Sequence, residues 1–182
     1  FSMGQRYKKT IALLLCALTA LMPLCACSID TPENTEPMSS TGFLLDTVVV
    51  ITLYDGQSRE TLQGVFDLCA EYENLLSKTI EGSDVWKINH AGGKPVAVSA
   101  QTAEVIKSAL HYSEITDGAF DITIGPVSSL WNFKSENPSV PAQADLDEAL
   151  SHVDYKNVVL EGNTVTLKDP KAQIDLGGIA KG

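Results

Sequence analysis

Two stretches of this chain repeat their apolar residues at three- and four-residue steps, and each is bounded by residues that start or stop helices. In the first, Ser58 can act as an N-cap, and Leu62, Val65, Phe66, Cys69, Tyr72, Leu75 and Leu76 fall on one face. In the second, Ser99 or Thr102 caps a segment carrying Val105, Ile106, Ala109, Leu110 and Ser113. Asp117-Gly118 ends that helix, since Gly can take the left-handed C-cap conformation. Around these helices the pattern is different. Phe43–Tyr54 is rich in Val, Ile and Thr and runs into Asp55-Gly56, which predicts a strand and a turn. Lys94–Val98 reads as a short strand, Asp145–His152 as a short helix on Leu146, Leu150 and Val153, and Asn157–Leu160 with Thr164–Leu167 as a hairpin turning at Glu161-Gly162-Asn163. Ala172–Leu176 is a last strand. The order predicts an α+β domain, helices packed on a mixed or antiparallel sheet.

The first 42 residues obey other rules. Arg6, Lys8 and Lys9 precede an apolar run from Ile11 to Met22, which suits a signal-peptide core and falls short of the roughly 20 residues that span a bilayer. Leu24-Cys25-Ala26-Cys27 resembles a bacterial lipobox, so residues 1–26 are expected to be removed and Cys27 to carry lipid. The competing readings are an ordinary signal peptide or an anchor that stays attached. Residues 28–42, polar and Pro-punctuated, read as a flexible tether. That leaves 43–182 for the domain, with Cys69 as its lone thiol. One thiol makes no internal disulfide, and Cys69 is expected in the core. All 23 acidic residues of the 182 fall after Cys27, and the whole chain carries a formal charge of -10, which argues against a nucleic-acid partner.

Two constellations can carry chemistry. From Thr116 to Pro126 the chain leaves a helix end at Gly118 and continues through Ala119-Phe120-Asp121 to Gly125-Pro126. Acidic residues just past a helix C-terminus oppose its dipole, so Asp117 and Asp121 need another purpose. That purpose is either an Asx turn and a cap, or a carboxylate offered to a ligand. In Asp175-Leu176-Gly177-Gly178-Ile179-Ala180-Lys181-Gly182, two glycines would let the backbone approach an anion while Lys181 adds positive charge. The spacing is not that of a P-loop. A strand running into Gly-Gly usually turns into a further element, which predicts that the domain continues past Gly182. His90, His111 and His152 match no metal-ligand spacing; His111 is expected to be structural, and Trp86 and Trp131 to be core or pocket-wall aromatics.

Together these motifs resemble the FAD:protein FMN transferase (ApbE) family. Leu45-Asp46-Thr47 sits where the family usually has Met-Gly-Thr, Thr116 to Pro126 followed by Leu130-Trp131-Asn132-Phe133 is close to its central block, and Asp175 to Gly182 is nearly its consensus. Asp84 to Asn89 falls between them at the expected place. The resemblance covers residues 43–182, the N-terminal part of such a domain, and implies a T-fold-like architecture. It implies an enzyme that takes FAD as substrate, splits its pyrophosphate with Mg²⁺, and transfers FMN to a Thr or Ser hydroxyl of an acceptor flavoprotein, such as a subunit of a membrane redox complex, releasing AMP. By similarity, Ala119, Phe120, Asp121 and Asp175 contact FAD, Lys181 lies near its phosphates, Leu45 walls the flavin or adenine site, and Gly178 offers a carbonyl to the metal, with Ala180 second. A lipid anchor at Cys27 would hold the enzyme on the extracytoplasmic face of the cell membrane. Asp46 replaces the usual Gly, Leu45 the usual Met, and Thr79 stands where relatives often carry an aromatic residue. The family's side-chain metal ligands belong to a C-terminal half, so catalytic residues are expected beyond Gly182 and the 182-residue piece is expected to be inactive. A flavin-binding lipoprotein without transferase activity, or an FAD pyrophosphatase giving FMN and AMP, is the alternative.

Overall fold

The computed structural model of the chain describes residues 36–55, 58–131, 135–136 and 139–181. The expected signal segment, Cys27, the first part of the expected tether, Gly56, Asn132-Phe133 and Gly182 lie outside the described residues. Among the described residues no helix is long and apolar enough to cross a membrane.

The first element is a hairpin, not a single strand. β1 (Met38–Leu44) pairs antiparallel with β2 (Thr47–Leu53), and Leu44 lies opposite Thr47. A two-residue turn, Leu45-Asp46, therefore joins them, with φ of 53° and 57°. Such a turn wants both residues left-handed and normally announces itself as Asn-Gly, which is why the sequence reads through it. Met38–Gly42, assigned to the tether from their polarity, belong to this strand. Alternation explains their composition: Ser39 and Thr41 face outward while Ser40 and Gly42 face inward. A Cβ on Gly42 would sit 2.7 Å from Phe66 Cε1, so glycine there lets the hairpin lie on the next helix.

That helix, α1 (Arg59–Leu76), starts as expected, with Ser58 Oγ accepting the Thr61 N–H at 3.0 Å. Its Leu62 and Leu76 are buried, whereas Cys69 is only half-buried. A short helix, α2 (Asp84–Asn89), follows, which no periodicity in the sequence announces; Ser83 caps it through the Trp86 N–H. β3 (Val96–Ala97) leads to α3 (Ala100–Ile115), capped by Ser99 and not by Thr102. Thr102 is fully buried instead, and its hydroxyl donates to Asp84 Oδ2 at 2.8 Å, which also accepts the Ser99 N–H at 2.8 Å. Burial pushes the Asp84 carboxyl up, but these bonds and nearby Lys87 outweigh it and hold the group below its ordinary value.

Beyond α3 the chain turns on Asp117 (φ 49°) and Gly118 (φ 80°), and the Gly118 N–H reaches back to Ser113 O at 2.9 Å. This is a Schellman closure in which Asp117 takes the left-handed position. A second unforeseen helix, α4 (Gly125–Leu130), has Pro126 in its first turn; α5 (Gln143–Leu150) begins two residues before the expected Asp145. A 3₁₀ turn (Tyr155–Asn157) leads to the hairpin of β4 (Val158–Glu161) and β5 (Thr164–Leu167), as the sequence predicts. The three-stranded antiparallel sheet has the order β3-β5-β4, giving an α+β fold with two small antiparallel sheets.

Residues 172–176 are extended but do not join a ladder as the predicted strand would. A lone parallel bridge links Gln173 to Ile124, and the Asp175 N–H donates to Ile122 O at 2.7 Å. On the other side a side chain replaces a strand: the Asn89 amide donates to Ile174 O (2.9 Å) and accepts from its N–H (2.7 Å). Ile174 and Leu176 enter a core with Val85, Ile106, Ile122 and Val165, so this segment runs through the centre of the domain and emerges at Asp175.

Candidate functional site

Asp175 follows a fully buried residue and precedes another nearly so, and its own side chain keeps 22% of its surface exposed. It is therefore rigidly held and still reachable. Its Oδ2 accepts from Lys78 Nζ at 2.7 Å and from Ser128 Oγ at 2.9 Å, while Oδ1 accepts the Gly177 N–H at 2.9 Å. Burial raises the carboxyl's pKa, but Lys78 above all, with the Gly177 N–H and Ser128, overrides that and keeps it below the usual carboxylate value. The group is a carboxylate at neutral pH.

The glycines after it are there for space. Neither Gly177 nor Gly178 has a left-handed φ. A Cβ on Gly177 would lie 3.1 Å from Asp175 Oδ1, and one on Gly178 would lie 3.3 Å from Phe120 Cε2. Leu176 O accepts from the N–H groups of both Ile179 (3.0 Å) and Ala180 (2.8 Å), so the chain coils into a helical turn directly after the glycines. The expectation that Gly-Gly turns the chain into a new element matches this geometry.

Asp175 and Gly177 are shared by two clefts. One, of about 190 Å³, is walled by Leu45, Asp46, Glu73, Lys78, Ala180 and Lys181. The other, of about 570 Å³, is walled by Ala119, Phe120, Asp121, Leu150, Val153 and Gly178. Every candidate within the described residues thus borders a cleft: Leu45 and Lys181 the first, Ala119, Phe120, Asp121 and Gly178 the second, Asp175 both. Residues 45 and 121 each border a cleft that Asp175 also borders, because the β1–β2 turn lies on one side of the central segment's end and the post-α3 loop on the other.

Asp121 is a more occupied residue than the sequence implies. Its Oδ1 accepts from both Thr123 N–H (2.7 Å) and Thr123 Oγ1 (2.6 Å), and Oδ2 accepts the Tyr155 N–H (2.8 Å). It braces the loop against the turn before β4, and one acceptor site, on Oδ2, is left for a ligand. Leu45 is held by Glu73, whose Oε1 accepts the Leu45 N–H at 2.9 Å across the first cleft. Thr79 is exposed and adds no ring to the cleft.

Three residues of this region carry no sequence signal, Lys78, Ser128 and Glu73, and Asn89 is marked only as the end of a stretch that fits the family resemblance. Lys78 and Asp175 are 97 positions apart, beyond any spacing rule. Only its place beside Thr79, at a point where the family pattern breaks, could have drawn attention to Lys78. Among the described residues no group of three or more His, Cys, Asp or Glu could hold a metal ion. The Gly178 carbonyl alone is a single neutral ligand, so the described residues do not by themselves make a Mg²⁺ site. His90 stacks on half-buried Trp86 with centroids 4.1 Å apart, and His111, expected to be structural, is exposed beside Tyr112.

The chain is similar to several proteins named as flavin transferases. It is 35% identical over 147 residues to the FAD:protein FMN transferase of Klebsiella pneumoniae (strain 342), covering 79% of this chain and 46% of that protein. With the FAD:protein FMN transferase of Vibrio cholerae serotype O1 it shares 31% over 174 residues, covering 92% of this chain and 51% of the relative. Among solved structures, the ApbE protein from Thermotoga maritima superposes with a TM-score of 0.74 at 36% identity, over 81% of this chain and 49% of that one. The flavin transferase ApbE from Vibrio cholerae gives 0.69 at 30%, over 80% and 50%. The chain thus spans about half the length of the curated relatives it matches. The family model that matches, over residues 45–182, is that of the ApbE family, and with the site blocks assembled around Asp175 the chain belongs to that family.

Proposed function

We propose that the protein carrying this chain is an FAD:protein FMN transferase. The observation that carries this reading is the convergence of three separate sequence blocks on Asp175, between two clefts, in a chain whose relatives bear that name. In the reaction a Thr or Ser hydroxyl oxygen of the acceptor attacks the flavin-side phosphorus of FAD. A new P–O bond to the acceptor forms, the pyrophosphate P–O bond breaks, AMP leaves with the bonding electrons, and the hydroxyl proton passes to solvent or a base.

The chain's own residues suit the binding part of this work. Lys181, exposed on the rim of the first cleft, offers a cation to phosphate oxygens, and Phe120 gives the second cleft an apolar wall beside Gly178. Asp175 presents a carboxylate to hydrogen-bond donors of the cofactor. Mg²⁺ is part of this proposal on the strength of the family resemblance; when bound to the pyrophosphate it would offset charge on the leaving oxygen. The basic patch, the apolar run and Cys27 support lipid anchoring on the extracytoplasmic face of a bacterial membrane, and labelling with a radiolabelled fatty acid should be lost in Cys27→Ser.

The test is direct. The full-length protein incubated with FAD, Mg²⁺ and a Thr- or Ser-containing acceptor should give a covalently fluorescent acceptor and one AMP per FMN transferred, and a chelator should stop it. AMP released without acceptor would point to the pyrophosphatase alternative. Binding of FAD with neither product would point to a flavin-binding lipoprotein.

A further inference from the structure

We propose that Lys78 and Ser128 are positioning residues that hold the Asp175 carboxylate so that one lone pair of Oδ1 is left for a neutral hydrogen-bond donor of FAD: a ring N–H, an exocyclic amine or a ribose hydroxyl. The inference rests on the reading of this site as an FAD site. It adds residues that neither the sequence motifs nor the family blocks assign.

The geometry is a closed triangle built from three elements. Lys78 follows α1, Ser128 lies in α4 and Asp175 lies in the central segment. Lys78 Nζ donates to Asp175 Oδ2 (2.7 Å) and to Ser128 Oγ (2.8 Å), and the Ser128 hydroxyl donates to the same Oδ2 (2.9 Å). Gly125 O, 3.2 Å from Ser128 Oγ, is the weaker of that hydroxyl's two acceptors. A carboxylate oxygen offers about two acceptor sites, so Oδ2 is full. Oδ1 has spent one on the Gly177 N–H and keeps one. What remains exposed is an oriented acceptor with no proton to give, a site that takes N–H or O–H and repels phosphate.

Lys78 is thereby committed. With its side chain 29% exposed and bound to both partners, it serves as the counter-ion of Asp175, and Lys181 is left as the cation of the first cleft. The other charged groups around Asp175 are Asp46 on the β1–β2 turn, Glu73 on α1 and Asp121 beyond α3. All three are acidic, and Lys181, the remaining cation of the first cleft, is exposed, whereas Lys78 is the cation paired with the carboxylate at 2.7 Å.

The test measures FAD affinity of the full-length protein between pH 8 and pH 5, with a ¹³C-carboxyl NMR titration of Asp175 in the cofactor-free protein. The wild type should bind FAD with a flat profile. In Lys78→Gln burial is no longer opposed by a cation, so Asp175 should titrate higher. FAD affinity should then fall about tenfold for each pH unit below that value. Lys78→Arg should restore the flat profile, and Ser128→Ala should raise the Asp175 titration by less than Lys78→Gln does. Parallel profiles with an unchanged Asp175 titration would overturn the proposal, as would an equal loss at every pH, which would make Lys78 a direct ligand of the FAD phosphates. If Lys78→Gln does not fold, the Ser128→Ala and Lys78→Arg titrations decide in its place. Failure of the wild type to bind FAD would refute the functional reading alone, since the NMR titration needs no cofactor.

Discussion

At the scale of single residues, much of this domain depends on side chains that stand in for backbone. Asn89 gives Ile174 both the acceptor and the donor that a neighbouring strand would supply. Ile174 is fully buried, so water cannot take over. Asn89→Ala should cost about 2–4 kcal/mol, from two unsatisfied buried groups, read as a lower urea midpoint with an unchanged m-value. Asn89→Asp keeps the acceptor but turns an anion toward the Ile174 carbonyl, and should recover little. Gly125 is a steric case. A Cβ there would lie 2.5 Å from Gln173 O, in a place where backbone must approach backbone. Gly125→Ala should destabilise by roughly 1–3 kcal/mol or more and loosen Ser128 with it, lowering both the melting temperature and FAD affinity.

At the scale of elements, the helices owe their starts to local chemistry. Ser99 Oγ accepts the Thr102 N–H at 3.1 Å, and Ser99→Ala should cost about 1 kcal/mol by thermal unfolding. The end of α5 is pinned differently, by a charged cluster. His152 Nδ1 bonds Asp169 Oδ2 at 2.6 Å, its Nε2 lies 3.4 Å from Glu148 Oε1, and Lys171 Nζ reaches the same Glu148 oxygen at 2.9 Å. Asp169, with Glu148 behind it, raises the His152 pKa above its ordinary 6.5 against the effect of burial. The Lys171 N–H and then His152 lower Asp169, and Lys171 and then His152 lower Glu148. A raised histidine stabilises fully below its ordinary value and loses that contribution as pH rises through the folded one. The lowered carboxylates contribute above their ordinary range and lose it on acidification. The cluster should therefore hold best between about pH 5 and pH 6.5. His152→Gln should lower the melting temperature at pH 6 and do so progressively less toward pH 9. Leu150 and Val153 flank His152 and wall the second cleft, so this pinning also shapes the site.

At the scale of the whole molecule, the central segment 172–176 joins stability to function. Ile174 and Leu176 pack among Val85, Ile106, Ile122 and Val165, and the residue between them is Asp175. Ile174→Ala should cost about 2–5 kcal/mol, and FAD affinity should fall with it, because the carboxylate is placed by its buried neighbours. Ile174→Val should cost about 0.5–1.5 kcal/mol and leave affinity nearly intact, which separates packing from chemistry.

The long helices, the Ser58 cap and the β4–β5 hairpin were legible because each is written in residues a few positions apart, while the choice of Ser99 over Thr102 as the second cap was made by the structure. The β1–β2 turn was not, since Leu45-Asp46 lacks the glycine that its left-handed backbone ordinarily calls for. Nor were α2 and α4, each six residues long, too short to show a period. Amino-acid order alone determined the α+β class and marked Asp121 and Asp175, the latter through its Gly-Gly neighbours, while Leu45 and Phe120 were marked only by the family resemblance. Tertiary structure decided what those residues do. It spent Asp121 on Thr123 and Tyr155, placed Asp175 between two clefts, and brought Lys78 and Ser128 to it from 97 and 47 positions away. Local pattern encodes periodicity and capping because their partners lie within a turn of the chain. A hydrogen-bonded triangle across three elements has no such period, and exists only once the core has folded.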